Sequence, residues 1–224
     1  SGAELSRAWV DILARTHRQG EIFNLMFHPD LGDDCMLPFS VLLNAAAGMH
    51  PAVWVARLQD VSAWWVEKKS LEIDLKTGRS GYLDLELPAN PRATWLVRGL
   101  NLAASEPWVA PYNRLTADLY EVPAVPRPLV GIHAGDRRDL LAALQNQGYI
   151  LDVGETAPSC SVYLNEKTLA ALPEERDVVE SIERTPGPLI RLWPWPNGVR
   201  STLCITGDLD ALSLVDYAAR LTHA

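Results

Sequence analysis

The sequence has little of several things, and each shortage excludes something. Cysteine is scarce: Cys35, Cys160 and Cys204 are far apart and form no C-x-x-C pair. A disulfide-stapled secreted scaffold and a Cys-based zinc module are therefore not expected, and reduced thiols in a cytoplasmic protein are. No apolar run approaches the length of a membrane span, and the N-terminus lacks the basic and apolar regions of a signal peptide. Positive charge is in deficit, with a net charge of −8 and no long charge runs. Neither nucleic acid nor an anionic membrane is an expected partner. Histidine is sparse too. His17, His28, His50, His133 and His223 are scattered, and no two stand four residues apart as a helical metal-binding pair would.

What is present belongs to a globular protein. The 224 residues suit one large domain or two small ones, and 48% hydrophobic with 21% charged content is enough to bury a core. Residues 4–18 place Leu5, Ala8, Trp9, Ile12 and Leu13 on one helical face, with Gly20 at the stop. The apolar run Ile22–Phe27 follows directly and reads as a buried parallel strand ended by His28-Pro29. A histidine at the carboxyl end of such a strand stands where ligands bind in α/β sheets. Asp30, Asp33 and Asp34 read as a solvated acidic turn.

Helical patterns are expected over residues 37–47 and 58–69, with a short strand at Val53–Val55 between them. The tryptophans Trp64 and Trp65 are read as core rather than as sugar platforms. Beyond Ser70 the pattern changes. Leu71–Leu75 and Tyr82–Leu87 alternate apolar and acidic residues around a glycine-containing turn, predicting a hairpin, and Thr94–Leu102 predicts a further strand with Trp95 and Val97 inward. The proline-rich stretch from Pro107 to Pro128 reads as a seam. Strands are then expected at 129–133, 149–153 and 161–164, and helices at 136–147, 165–172 and 174–184, with Asp136 as an N-cap. His133, near a strand end with no motif around it, is read as structural.

The second chemical signal comes late. Ser201–Ile205 reads as a buried strand leading to Thr206-Gly207-Asp208-Leu209-Asp210, so that two carboxylates leave one strand. Such a pair holds a divalent cation or divides into a base and a metal ligand; it also caps helices, and Ser213–Leu221 reads as a helix.

The order His28-Pro29, helix, Val-Trp strand and Trp-ending helix resembles the closing segment of polysaccharide deacetylases, the NodB-like proteins of carbohydrate esterase family 4. Trp195-Pro196-Asn197-Gly198-x-Arg200-Ser201 and the following Asp-x-Asp resemble that family's first motif. The resemblance implies an α/β fold, part of a NodB-like deformed (β/α) barrel with a small antiparallel β-rich insertion. Its implied segments are 1–70 as the closing part of the barrel, 71–128 as a β-rich segment with a proline-rich seam, and 129–224 as an α/β segment ending in the Asp-x-Asp strand. The implied activity is metal-dependent hydrolysis of the amide of an N-acetylated sugar. Asp208 would be the base, Asp210 a ligand to a divalent metal such as zinc, and His28 the residue that protonates the leaving amine.

The motif order is reversed relative to the family, Gly207 replaces the usual aromatic, and the family's His-x-x-x-His pair is missing. Three readings stay open. The chain is the C-terminal part of a longer deacetylase whose metal-binding half is missing or lies on a second chain. It is a permuted relative. Or it is a non-catalytic carbohydrate-binding or assembly module.

Overall fold

The computed structural model describes residues 2–27, 32–133 and 137–207. It is a mixed α/β structure, and among the described residues it has six helices and four sheets, none of them closed as a barrel. None of its described helices is long and apolar enough to cross a membrane. The chain divides into two compact units, residues 1–65 with 199–224, and residues 66–198.

The first unit begins with helix α1, Gly2–Gln19, which buries Leu13 together with Ser6, Thr16 and His17. Gly20 ends it at φ 73°, a conformation that costs glycine little. Strand β1, Ile22–Phe27, leads to helix α2, Gly32–Ala47, which begins five residues before its sequence pattern predicts and carries Pro38 without ending there. Asp33 and Asp34 therefore belong to the helix, whereas Asp30 lies outside the described residues. Strand β2, Val53–Ala56, and helix α3, Leu58–Lys68, follow; Trp64 is fully buried, as expected of a core residue.

The middle strand of this unit's sheet comes from the far end of the chain. Strand β13, Ser201–Gly207, lies between β1 and β2 and runs parallel to both. One face of the sheet, with Phe23, Leu25 and Leu203, packs on Leu13 of α1 and on Leu42 and Ala46 of α2. Alternation puts Ile22, Asn24 and Met26 on the other face of β1, where all three are exposed.

The second unit holds the remaining strands. Strands β3, Asp74–Thr77, and β4, Tyr82–Glu86, form the expected hairpin, and β8, Leu119–Pro123, pairs with β4 on its other side. The first strand of the hairpin begins later than its alternation suggests, because Leu71 and Ile73 pack against the core without joining the ladder. The second sheet runs in the order β12 (Leu189–Leu192), β5 (Trp95–Arg98), β7 (Asn113–Leu115), β6 (Ser105–Pro107), all antiparallel. The proline-rich stretch thus carries β7, β8 and the end of β6. The third sheet is parallel, with β9 (Arg127–Ile132) between β10 (Leu151–Val153) and β11 (Cys160–Leu164). Helices α4 (Arg138–Asn146), α5 (Glu166–Ala171) and α6 (Glu175–Arg184) complete the unit. Asn165 caps α5 by accepting from the Thr168 N–H at 2.9 Å.

Strands β5 and β12 are buried on both faces, which a half-exposed alternating strand would not be. Trp95, Val97, Ile190 and Leu192 face one hydrophobic cluster. The other face carries Leu96, Arg98, Leu189 and Arg191, and its two arginines are held by main chain and by carboxylate. Arg98 donates to the carbonyls of Ile182 at 2.9 Å and Thr185 at 2.8 Å, satisfying the C-terminal end of α6. Arg191 donates to Glu183 Oε1 at 2.8 Å and to the Tyr149 hydroxyl at 3.1 Å. Glu183 also accepts from the hydroxyls of Tyr112 at 2.8 Å and Tyr149 at 2.5 Å. Burial pushes the Tyr112 phenol up to about 12 and the Tyr149 phenol higher still, so both remain neutral donors. Cys160 is equally quiet, its thiol pushed up to about 11 chiefly by burial.

The turn after α4 is the tightest glycine position of this unit. Gly148 has φ 88°, and a Cβ there would stand 1.5 Å from the Leu192 carbonyl oxygen, while Leu192 donates its N–H to the Gly148 carbonyl at 2.9 Å. Gly148→Ala is expected to destabilise the protein by about 2–4 kcal/mol, combining positive-φ strain with the clash. Urea unfolding measures this, and a change within about 0.5 kcal/mol would contradict the packing described.

Candidate active site at the strand ends of the first unit

The two strands that precede the chemical signals of the sequence lie side by side in one sheet. In the ladder between β1 and β13 every residue has a partner, from Ile22 with Thr202 to Phe27 with Gly207. The paired ends Phe27 and Gly207 immediately precede His28 and Asp208 in the chain. His28, Asp208 and Asp210 themselves lie outside the described residues. Parallel pairing without a register shift makes the two strands leave the sheet at one level, at its carboxyl edge.

The described side chains near that edge are mixed on the open face, where Asn24 stands beside the exposed Met26, and inert in the interior. Thr206 Oγ1 donates to Asn24 Oδ1 at 3.4 Å, so the two neighbouring strands are also tied side chain to side chain. Cys204 is fully buried, and its thiol is pushed up by burial first and by the Asp60 carboxylate second. A thiol of that kind is not a nucleophile at neutral pH. Past the end of β2, Arg57 and Asp60 hold each other in a two-pronged pair, Nε to Oδ2 and Nη2 to Oδ1, both at 2.8 Å. The Arg57 guanidinium holds the exposed Asp60 carboxyl below its usual range, and that carboxylate is engaged locally. Among the described residues no three His, Cys, Asp or Glu side chains converge as a metal site would require.

The opposite, amino-terminal edge of the sheet holds a second histidine. His17 of α1 is buried, and its Nδ1 lies 2.9 Å from the hydroxyl of Ser201, the first residue of β13. That edge is the structural end of a parallel sheet, and His17 there fastens helix to strand. His133 follows β9 in the second unit with its side chain exposed, while its N–H donates to the Leu164 carbonyl at 2.9 Å. No other ionisable side chain is hydrogen-bonded to its ring among the described residues.

Sequence reading missed Asn24 and Thr206. Alternation along Ile22–Phe27 would have put Asn24 on the face opposite Phe23 and Leu25, but its partner came from a strand far along the chain. Comparison with protein-family models, curated proteins and solved structures finds no match for this chain.

His17 generates a pH prediction. Burial, the largest cause, and the nearby Arg200 charge lower its pKa, against a contribution from the His50 main chain that raises it. The neutral ring is thus favoured in the folded state. Its contribution is fully present above the unfolded-state value near 6.5 and is lost as the pH falls through the lower folded value. The stability gap between wild type and His17→Gln should therefore narrow as the pH is taken from about 7 to about 5. Denaturant midpoints at a series of pH values measure it; a constant gap would mean that the histidine is not held neutral.

Proposed function

We propose that the protein is a polysaccharide deacetylase-like hydrolase that cleaves the amide of an N-acetylated sugar. In this reading β1, β13 and β2 are part of the wall of a NodB-like deformed (β/α) barrel, and the protein works in the cytoplasm. The observation that carries it is the parallel pairing of β1 with β13 through Phe27 and Gly207, because it brings the chain to His28 and to Asp208 from adjacent strands. A base and an acid must flank one scissile bond, and two neighbouring strand exits are one way to supply that spacing.

Each residue has one task. Asp208 takes a proton from the attacking water, whose oxygen bonds to the acetyl carbonyl carbon. His28 gives a proton to the sugar nitrogen as the C–N bond breaks, leaving acetate and a free amino sugar. A divalent cation such as zinc, when bound, polarises the acetyl carbonyl and makes the water more acidic. Asp210 is its ligand from this stretch. The other ligands come from outside the described residues, in this chain or a second one.

The test is acetate release from an N-acetylglucosamine oligomer by the full-length protein supplied with zinc. His28→Ala and Asp208→Asn should each lower turnover by at least about 100-fold while circular dichroism and melting stay unchanged. Wild-type turnover in either variant would overturn the assignment. No release from the wild-type protein would leave a carbohydrate-binding or assembly module in its place.

A further inference from the structure

The second unit has a cleft of about 680 Å³ that the deacetylase reading does not use. Its size falls within the range of small-molecule sites. Apolar and aromatic groups, Trp95, Tyr149 and Leu192, line it, with Lys69 and Glu72 among its charged residues. Lys68, the last residue of α3, also lines the cleft and is 5% exposed. Its Nζ donates to the Asn146 carbonyl at 2.5 Å, so the amine is held by main chain at the end of α4.

We propose that this cleft is a carbonyl-binding site in which the Lys68 amine condenses with a small apolar aldehyde or ketone to form an imine. The position of Lys68 gives the geometric basis. A long flexible side chain that would ordinarily extend into water is instead buried at the wall of a cleft that Trp95 and Tyr149 also line. Burial first, and the like charge of Arg191 second, lower its pKa from 10.5 to about 8. Desolvation beside a second cation is the arrangement that makes a lysine nucleophilic near neutral pH.

The chemistry balances without any other reagent. The Nζ lone pair attacks the carbonyl carbon to give a carbinolamine. The carbonyl oxygen then leaves as water with the two hydrogens from the neutral amine, and a C=N bond replaces the C=O bond. Nothing is oxidised or reduced.

The chain has four lysines, Lys68, Lys69, Lys76 and Lys167, so each serves as a control for the others. The intact protein is treated with propanal and cyanoborohydride at neutral pH, and peptide mass spectrometry follows the propyl group on each lysine. Lys68 should be alkylated at least about ten-fold faster than Lys69 and Lys167, and its rate should level off above about pH 8. Lys76, paired with Asp74 and Glu86, should be the slowest. Lys68→Met should lose the fast label alone; if that variant does not fold, the wild-type comparison still decides. Labelling of Lys68 no faster than of Lys69 and Lys167, or a rate at Lys68 that does not level off, would overturn the proposal.

Discussion

The first unit depends on one pairing. Among the described residues β1 and β2 are not paired with each other; each is paired with β13, which enters from residue 201 after the chain has built the whole second unit. A middle strand contributes hydrogen bonds along both edges and side chains to both faces, and Thr202, Leu203 and Cys204 are accordingly buried. Without it the apolar faces of α1 and α2 would lose Leu203 from their shared core. The same pairing ends the two strands at one level, at Phe27 and Gly207, although they lie at opposite ends of the sequence.

The second unit is organised differently, around strands that carry charge into a buried layer. β5 and β12 turn four apolar side chains to one cluster and two arginines to the other face. Arg98 closes the end of α6, and Arg191 gathers Glu183, Tyr149 and the Gln147 carbonyl, with its guanidinium 4.2 Å from the Tyr149 ring centroid. A buried ion pair of this kind adds little net stability over an apolar one, but losing one partner leaves a charge in the interior. After burial, that positive charge is the second cause that lowers the Lys68 pKa.

Local pattern carried much of the fold. The apolar run Ile22–Phe27, the hairpin around Gly81 and the helix over residues 174–184 were legible because periodicity and turn residues agree there. Strands β5 and β12 were harder, since burial on both faces gives arginines at positions that alternation assigns to water. The proline-rich stretch hid β7 and β8, whose prolines stand at strand ends or between strands, where no ladder N–H is lost. Lys68 had a signal that went unread. Val61, Trp64 and Lys68 share one helical face at i, i+3 and i+7, and a lysine on an apolar stripe points to a buried amine. The strands that lead to His28 and Asp208 were legible, but their pairing was not, because pairing between distant strands leaves no local trace.

The most direct measurement is the imidazole titration of His28, followed by NMR in the wild-type protein and in Asp208→Asn. A carboxylate within about 4–6 Å favours the charged imidazolium, so the account predicts that the His28 pKa falls by at least about half a unit when Asp208 is neutralised. An unchanged His28 titration would contradict the account, because it would mean that the two strand exits do not bring these side chains to a common site.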